Sequence, residues 1–234
     1  MIVFDADGTL IGGEAADWMC FRDAFEAVAG FALSDAFFAG IEEVTARAIV
    51  HQALAHCPVD ERRTKEHAVR EDFLRRLKLV YEANPRTFAP TAGTLDLLRE
   101  IRDAGIPMAI ATGDWHETIS FKLAAAGIPF ESIPIVTSSD YYGRAEIIAA
   151  AVCKAGCSLG EAIYVGDGLW DLRACGKLGI PFIGIGHRRE KLREAGAAHV
   201  LLDLAPVEFW MARARAKSLN EERAVLQQPR PEVG

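Results

Sequence analysis

The chain has 234 residues, half of them hydrophobic and a quarter charged, with a formal net charge of −7. That composition belongs to a globular protein long enough for one α/β domain with an insertion. The acidic balance argues against a basic nucleic-acid surface, and no apolar run approaches the length of a membrane span.

Met1-Ile2-Val3-Phe4 is a short apolar run that reads as a buried strand. With a strand at the N-terminus, no signal peptide is expected ahead of it. Asp5-Ala6-Asp7-Gly8-Thr9-Leu10 follows at the strand's C-terminal edge, where open α/β sheets bind ligands. Residues 14–83 then contain no convincing strand. Phe37, Ile41, Val44 and Ala48 repeat at helical spacing, as do Phe73, Leu74, Leu77 and Val80. With Ser34 and Asp60 as N-caps and Pro58 as a breaker, the segment predicts an insert of three or four helices. Asn84-Pro85 and Ala89-Pro90 mark the return to the main domain.

From residue 91 helices and strands alternate. Helices are predicted over 91–104, 115–126 and 144–155, after the 162–165 strand as far as 178, and over 190–195. Strands are predicted over 107–111, 132–137, 162–165, 181–185 and 199–202. Such alternation means a parallel sheet covered on both faces. A last helix over 206–219 carries Phe209, Trp210 and Met211, and the polar residues 220–234 are expected to form a flexible tail. The expected domains are a core of 1–13 and 84–219 and a helical cap of 14–83. Cys20, Cys57, Cys153, Cys157 and Cys175 are odd in number and form no Cys-x-x-Cys. They are expected to be reduced and mostly buried, in a cytoplasmic protein.

Three further polar clusters follow predicted strands: Thr112-Gly113-Asp114, Ser138-Ser139-Asp140 leading to Gly143-Arg144, and Gly166-Asp167-Gly168-Leu169-Trp170-Asp171. In a parallel sheet these converge with Asp5 and Asp7 on one rim. Asp5 and Asp7 are two apart, so in strict extension they point the same way. Like charges that close need a cation or a shared proton, and a carboxylate can also be a covalent nucleophile. Asp167 and Asp171 add carboxylates to a metal held by Asp5, a donor set suited to Mg²⁺. Thr112 offers a hydroxyl, Gly113 lets backbone N–H groups approach an oxyanion, and Arg144 offers a fixed charge to a phosphoryl oxygen. Plainer readings also exist: Thr112 as an N-cap, Arg144 as a solvated helix-start charge, Asp171 as a surface residue.

In this order the residues resemble the haloacid dehalogenase-like (HAD) hydrolase superfamily. Asp5 to Leu10 looks like its first motif, Thr112 its second and Gly166 to Asp171 its fourth; residues 14–83 look like the small helical cap of its phosphoglycolate phosphatase-like members. The resemblance implies a Rossmann-like core and Mg²⁺-dependent hydrolysis of a small phosphomonoester through an aspartyl-phosphate. It implies Asp5 as nucleophile and Asp7 as general acid/base. Mg²⁺ would lie on Asp5, the backbone carbonyl of Asp7 and Asp167, with Asp171 assisting. Gly8, Thr112, Gly113 and Arg144 would hold the phosphate. The third motif departs from the usual lysine: Gly143-Arg144-Ala145-Glu146 stands there. Arg144 is favoured as the basic residue because it follows a predicted strand and opens a helix. Lys122 is the alternative, its plainer reading being a solvated helix charge. Dehalogenases of this superfamily lack a carboxylate at the position resembling Asp7. An alkoxide leaving group needs a proton, and general acid catalysis typically contributes ~10²–10⁴-fold, so Asp7 favours phosphoryl transfer.

Trp18, Trp115 and Trp170 lie near these motifs, with core or hinge packing as the plainer reading. His116 reads as a helix-surface residue, and His187-Arg188-Arg189 as a solvated loop near the rim. Arg22, Arg47, Arg62, Arg63 and Arg70 of the insert read as solvent-face charges, one of which could reach a substrate carboxylate. The expected partner is a small phosphorylated metabolite, with no nucleic acid and no membrane, and the protein as monomer or homodimer. A sugar-phosphate mutase resembling beta-phosphoglucomutase is the nearest alternative, and a non-catalytic binding protein on the same fold a more distant one.

Overall fold

A computed structural model describes residues 1–214. The expected tail over 220–234 and the end of the 206–219 helix lie outside the described residues. Six parallel strands form one sheet in the order β3-β2-β1-β4-β5-β6. They are β1 (Ile2–Phe4), β2 (Met108–Ala111), β3 (Ile135–Val136), β4 (Ile163–Gly166), β5 (Phe182–Gly184) and β6 (His199–Val200). β1 is central. Val3 pairs with Ala109 on one side and Tyr164 on the other. Its side chains are buried on both faces, which is why Ile-Val-Phe is continuous rather than alternating.

The chain runs outward from β1 through β2 to β3, then returns to β4 and runs outward the other way. The order therefore reverses between β1 and β4, and such a reversal opens a crevice at the strand C-termini. Helices cover both faces. Ile2, Phe4 and Ile110 pack with Leu97, Ile101, Ile119 and Trp210, carried by α5 (Thr94–Asp103), α6 (His116–Ala125) and α10 (Val207–Ala214). Val3, Ala109 and Tyr164 pack with Ile147, Ile148 and Cys175 on the opposite face, from α7 (Arg144–Lys154) and α8 (Leu169–Leu178), with α9 (Arg189–Glu194) beyond them. Each such Leu or Ile, fully buried, stabilises by roughly 1.5–3 kcal/mol.

Between β1 and β2 lie α1 (Glu14–Ala29), α2 (Asp35–Gly40), α3 (Ala46–Ala53) and α4 (Val59–Ala83), then a 3-10 turn over Pro85–Phe88. α1 packs on α4 through Phe21 and Phe73, whose rings meet edge-on at 5.6 Å. The apolar run 37–48 is not one helix. α2 ends at Gly40, Ile41 is extended, and Thr45 starts a new helix by accepting from the Ala48 N–H at 3.1 Å. Ser34 does cap α2, accepting from Phe37 N–H at 3.2 Å. Asp60 is not a cap: α4 starts at Val59 after Pro58, and Asp60 sits in its first turn, where the helix dipole favours a negative charge. The helix expected from 91 begins at Thr94, because the Thr91 hydroxyl donates to Thr9 O at 2.6 Å and holds a turn there. The strand expected over 132–137 pairs only at Ile135–Val136.

The two crossings between the helical segment and the sheet lie side by side. Ile11 bridges to Pro90, and Gly12 N–H donates to Ala89 O at 2.9 Å. Gly13 has φ +93, and a Cβ there would collide with the Thr87 carbonyl. All five cysteines are free. Cys20, Cys57 and Cys175 are buried, Cys157 half-buried and Cys153 exposed. No helix among the described residues is long and apolar enough to cross a membrane.

Candidate active site at the strand-order reversal

Asp5 continues β1, its N–H donating to Val165 O at 2.8 Å. The chain then folds back sharply: Thr9, Leu10 and Ile11 all donate to Ala6 O. Gly8, at φ +76, makes that turn, and a Cβ on it would lie 2.6 Å from Asp167 Oδ2. Only glycine lets the loops after β1 and β4 approach so closely.

Arg144, the first residue of α7, is 5% exposed, and its Nη1 donates to Asp5 Oδ1 at 2.9 Å. Its Nε lies 3.3 Å from Asp171 Oδ1. Asp171 is fully buried at the start of α8 and accepts from Tyr164 Oη and Gly168 N–H, each at 3.2 Å. Arg188 Nη1 donates to Asp167 Oδ2 at 3.1 Å. Asp5, Asp167 and Asp171 each present an oxygen within 4.8 Å of the others. Burial, then the charge of Asp171, pushes Asp5 up to about 7 against the pull of Arg144. Burial and then Asp5 hold Asp167 well above the usual carboxylate range. Carboxylates crowded this way favour an added cation. Their hard oxygen donors fit Mg²⁺.

Asp7 belongs to a second cluster. Lys122 Nζ lies 2.6 Å from Asp7 Oδ1, 2.6 Å from Asp17 Oδ1 and 2.8 Å from Asp114 Oδ2. Lys122 is fully buried, so the solvated reading is corrected. Burial opposes its charge, but Asp114, Asp17 and Asp7 outweigh it and hold the amine well above the usual lysine range. Burial likewise pushes Asp7 up to about 6, with Lys122 pulling the other way.

Asp5, Asp7, Thr112, Gly113 and Arg144 line one cavity of about 110 Å³, closed from the helical side by Trp18, Val44 and Phe73 among others. Thr112 is not the cap of α6, which begins at His116. Its Oγ1 accepts from Asp114 N–H at 3.2 Å, inside the preceding turn. Ser138 and Ser139 brace that turn instead. Ser138 Oγ donates to Asp114 O at 2.9 Å, and His116 N–H donates to Ser139 Oγ at 3.1 Å. Asp140 Oδ2 accepts from Thr137 N–H and Oγ1, each at 3.0 Å.

Trp115 is core: fully buried, it packs near Phe21 and Phe73, and its Nε1 donates to Glu66 at 3.3 Å. Trp18 and Trp170, by contrast, line the cavity. His116 is exposed, as expected. None of the five arginines singled out in the insert lines the cavity. Arg22 is tied to Leu33 O at 2.8 Å, and Arg70 lies 3.5 Å from Glu117. Sequence reasoning missed Asp17 and left Asp114 without a role; Arg188 is exposed, as the solvated-loop reading expects, and also reaches Asp167. Asp17 and Lys122 are 105 residues apart, so no local pattern joins them.

No curated protein matches the chain. Among solved structures it is similar to a hydrolase from Pseudomonas syringae, at 22% identity and TM-score 0.71 over 90% of this chain and 97% of that one. It is also similar to CbbY from Rhodobacter sphaeroides in complex with phosphate, at 24% identity and TM-score 0.68 over 88% and 95%. A beta-phosphoglucomutase from Clostridium difficile is similar at 14% identity and TM-score 0.72 over 97% and 98%. At these identities the likeness shows the fold. The family described as haloacid dehalogenase-like hydrolase matches residues 2–185, from β1 past the end of β5 and through both carboxylate clusters, and the chain belongs to that family.

Proposed function

We propose that the protein is a Mg²⁺-dependent phosphatase that hydrolyses a small-molecule phosphomonoester through an aspartyl-phosphate on Asp5. One observation carries this reading. Two aspartates of one loop face the same cavity, and the first has a guanidinium 2.9 Å from its carboxylate. Asp5 attacks phosphorus and forms the new P–O bond while the ester P–O bond breaks. Arg144 neutralises the transferring oxygens, and Thr112 Oγ1 and backbone N–H groups at Gly113 donate to them. Asp7, held by Lys122, gives its proton to the departing alkoxide. It then takes a proton from the water that attacks the phosphorus, which frees Asp5 and releases inorganic phosphate. Asp5, Asp167 and the backbone carbonyl of Asp7, with Asp171 assisting, would hold the Mg²⁺, which supplies further charge neutralisation at the phosphoryl group. The fold shared with a phosphate complex of CbbY and with a beta-phosphoglucomutase supports phosphate chemistry at this rim.

The test is phosphate release from a panel of phosphomonoesters. Free phosphate should accumulate with Mg²⁺, stop in EDTA and resume on adding Mg²⁺ back. Asp5→Asn should abolish release while circular dichroism stays unchanged. Substantial turnover by folded Asp5→Asn would overturn the covalent mechanism. Transfer of phosphate between positions of a sugar, without net release, would replace hydrolysis by mutation of the ester.

A further inference from the structure

A second cavity, of about 750 Å³, adjoins the catalytic one between the helical segment and the sheet. It is within the usual size range of a small-molecule pocket. Trp18, Val44 and Trp170 line both cavities, so the two are contiguous. The larger one also reaches Asp167, whose carboxylate belongs to the Asp5 cluster. A group attached to a phosphate in the small cavity therefore extends past the two indoles into the large one.

The lining of the large cavity restricts what that group is. Its walls are Trp18, Phe38, Ile41, Val44, Leu169 and Trp170, with alanines between them. No serine, threonine, asparagine or glutamine lines it. A sugar brings several hydroxyls, each of which loses free energy if desolvated without a partner. The neutral hydrogen-bonding groups that line it are the indole N–H groups of Trp18 and Trp170 and the His187 imidazole, too few to meet all the hydroxyls of a sugar. Flat aromatic walls instead favour a planar apolar body. Trp18 from α1 and Phe38 from α2 already meet edge-on at 4.9 Å, and Trp170 carries the Arg188 guanidinium 5.4 Å from its ring centroid. The aromatic surface thus comes from both sides of the crevice.

The charged residues add a second constraint. Arg188 is bound to Asp167. Glu14 lies at the Gly8–Asp167 end, close to where a Gly8 Cβ would stand. Arg173 lies one turn beyond Leu169 on the same face of α8. It pairs with no carboxylate among the described residues, and His187 lines the cavity with it. An uncompensated cation beside an apolar wall suits an anionic group on the far part of the ligand.

We propose that the large cavity is the leaving-group site, and that it takes an aromatic alcohol bearing a carboxylate, Arg173 meeting the carboxylate. This rests on the phosphatase reading for the identity of the reacting end. Binding tests it independently of turnover. The probes are non-hydrolysable phosphonates, titrated calorimetrically into the full chain with Mg²⁺: ethylphosphonate, 3-phenylpropylphosphonate and 3-(4-carboxyphenyl)propylphosphonate. The phenyl probe should bind at least tenfold more tightly than ethylphosphonate, and the carboxylate should add a further threefold or more. Phe38→Ala should cut the phenyl advantage severalfold, and Arg173→Gln, on an exposed position of α8, should erase the carboxylate advantage alone. Equal affinity for the ethyl and phenyl probes, or glucose 6-phosphate binding more tightly than the phenyl probe, would overturn the proposal. Tight phenyl binding that Arg173→Gln leaves unaltered would overturn the carboxylate assignment. If the probes bind in the expected order but no matching ester is hydrolysed, the phosphatase reading fails and the site assignment stands.

Discussion

The two buried cations of the site hold different carboxylates, and this separates their effects. Arg144 touches Asp5 and lies beside Asp171, whereas Lys122 touches Asp7, Asp17 and Asp114. Arg144→Ala should lower kcat/KM by about 10³-fold, the scale of losing a cation on a transferring phosphoryl group. Arg144→Lys should recover only part of that, since a point charge cannot reproduce the planar fork. Lys122→Met leaves one buried carboxylate, Asp114, and two half-buried ones, Asp7 and Asp17, without their common partner. Removing one partner of a buried ion pair costs about 3–5 kcal/mol, which lowers the melting temperature by on the order of 10 °C for a chain of this size. Steady-state kinetics and thermal melts on the three variants check both expectations. A Lys122→Met protein that melts like the parent would remove its bridging role. The charge of Arg144 was readable because it follows a strand and opens a helix. The burial of Lys122 was not, because each of its carboxylates comes from a different loop or helix.

At the scale of elements, the segments after β1, β2, β3 and β4 carry the chemistry, and tight turns hold them in place. The helical segment is joined through Gly12-Gly13 and residues 84–89, which lie against each other. Gly13 is left-handed and packed against the Thr87 carbonyl, whereas the nearest atom to a Gly12 Cβ is Ala89 O at 3.6 Å. Gly13→Ala should therefore destabilise by about 1–2 kcal/mol or more, the cost of a left-handed L-residue. Gly12→Ala should cost much less. Urea unfolding of the two variants measures the difference, and equal midpoints would contradict the packing. Strand and helix order was legible from apolar periodicity, but not the break at Ile41 to Thr45. There the spacing of Phe37, Ile41, Val44 and Ala48 imitates a helix, and the Thr45 hydroxyl bond that starts a new one is a local contact that periodicity does not register.

Across the whole molecule, the helical segment is closed on the sheet by bonds near the site. Ala46 N–H donates to Gly113 O at 2.7 Å, Thr45 Oγ1 donates to Tyr142 O at 2.9 Å, and Arg144 N–H donates to Glu43 Oε2 at 3.1 Å. A cap that opened for substrate entry would break all three together. Hydrogen exchange at Ala46 should thus slow when Mg²⁺ and a phosphate analogue are bound, with little change at Ile110 in the buried centre of the sheet. Unaltered exchange at Ala46 with the site saturated would argue against a moving cap. Mg²⁺ itself should raise the melting temperature, since a ligand at 100 times its Kd stabilises by about 2.7 kcal/mol. Asp167→Ala should remove most of that rise.

The sequence by itself determined the parallel sheet, the helical insert and the shared rim of Asp5, Asp7, Thr112, Arg144, Asp167 and Asp171. Each of these depends on residues near in sequence: a fully apolar strand, a turn, a polar group at the strand end. Parallel pairing then points all the strand ends one way, so local signals suffice to bring the site together. Only the tertiary structure decided which cation serves which aspartate, that Arg188 reaches Asp167, and that Trp18 and Phe38 from one side face Trp170 from the other across the crevice. Those contacts join segments up to 150 residues or so apart through side-chain burial and charge, and no spacing rule encodes them.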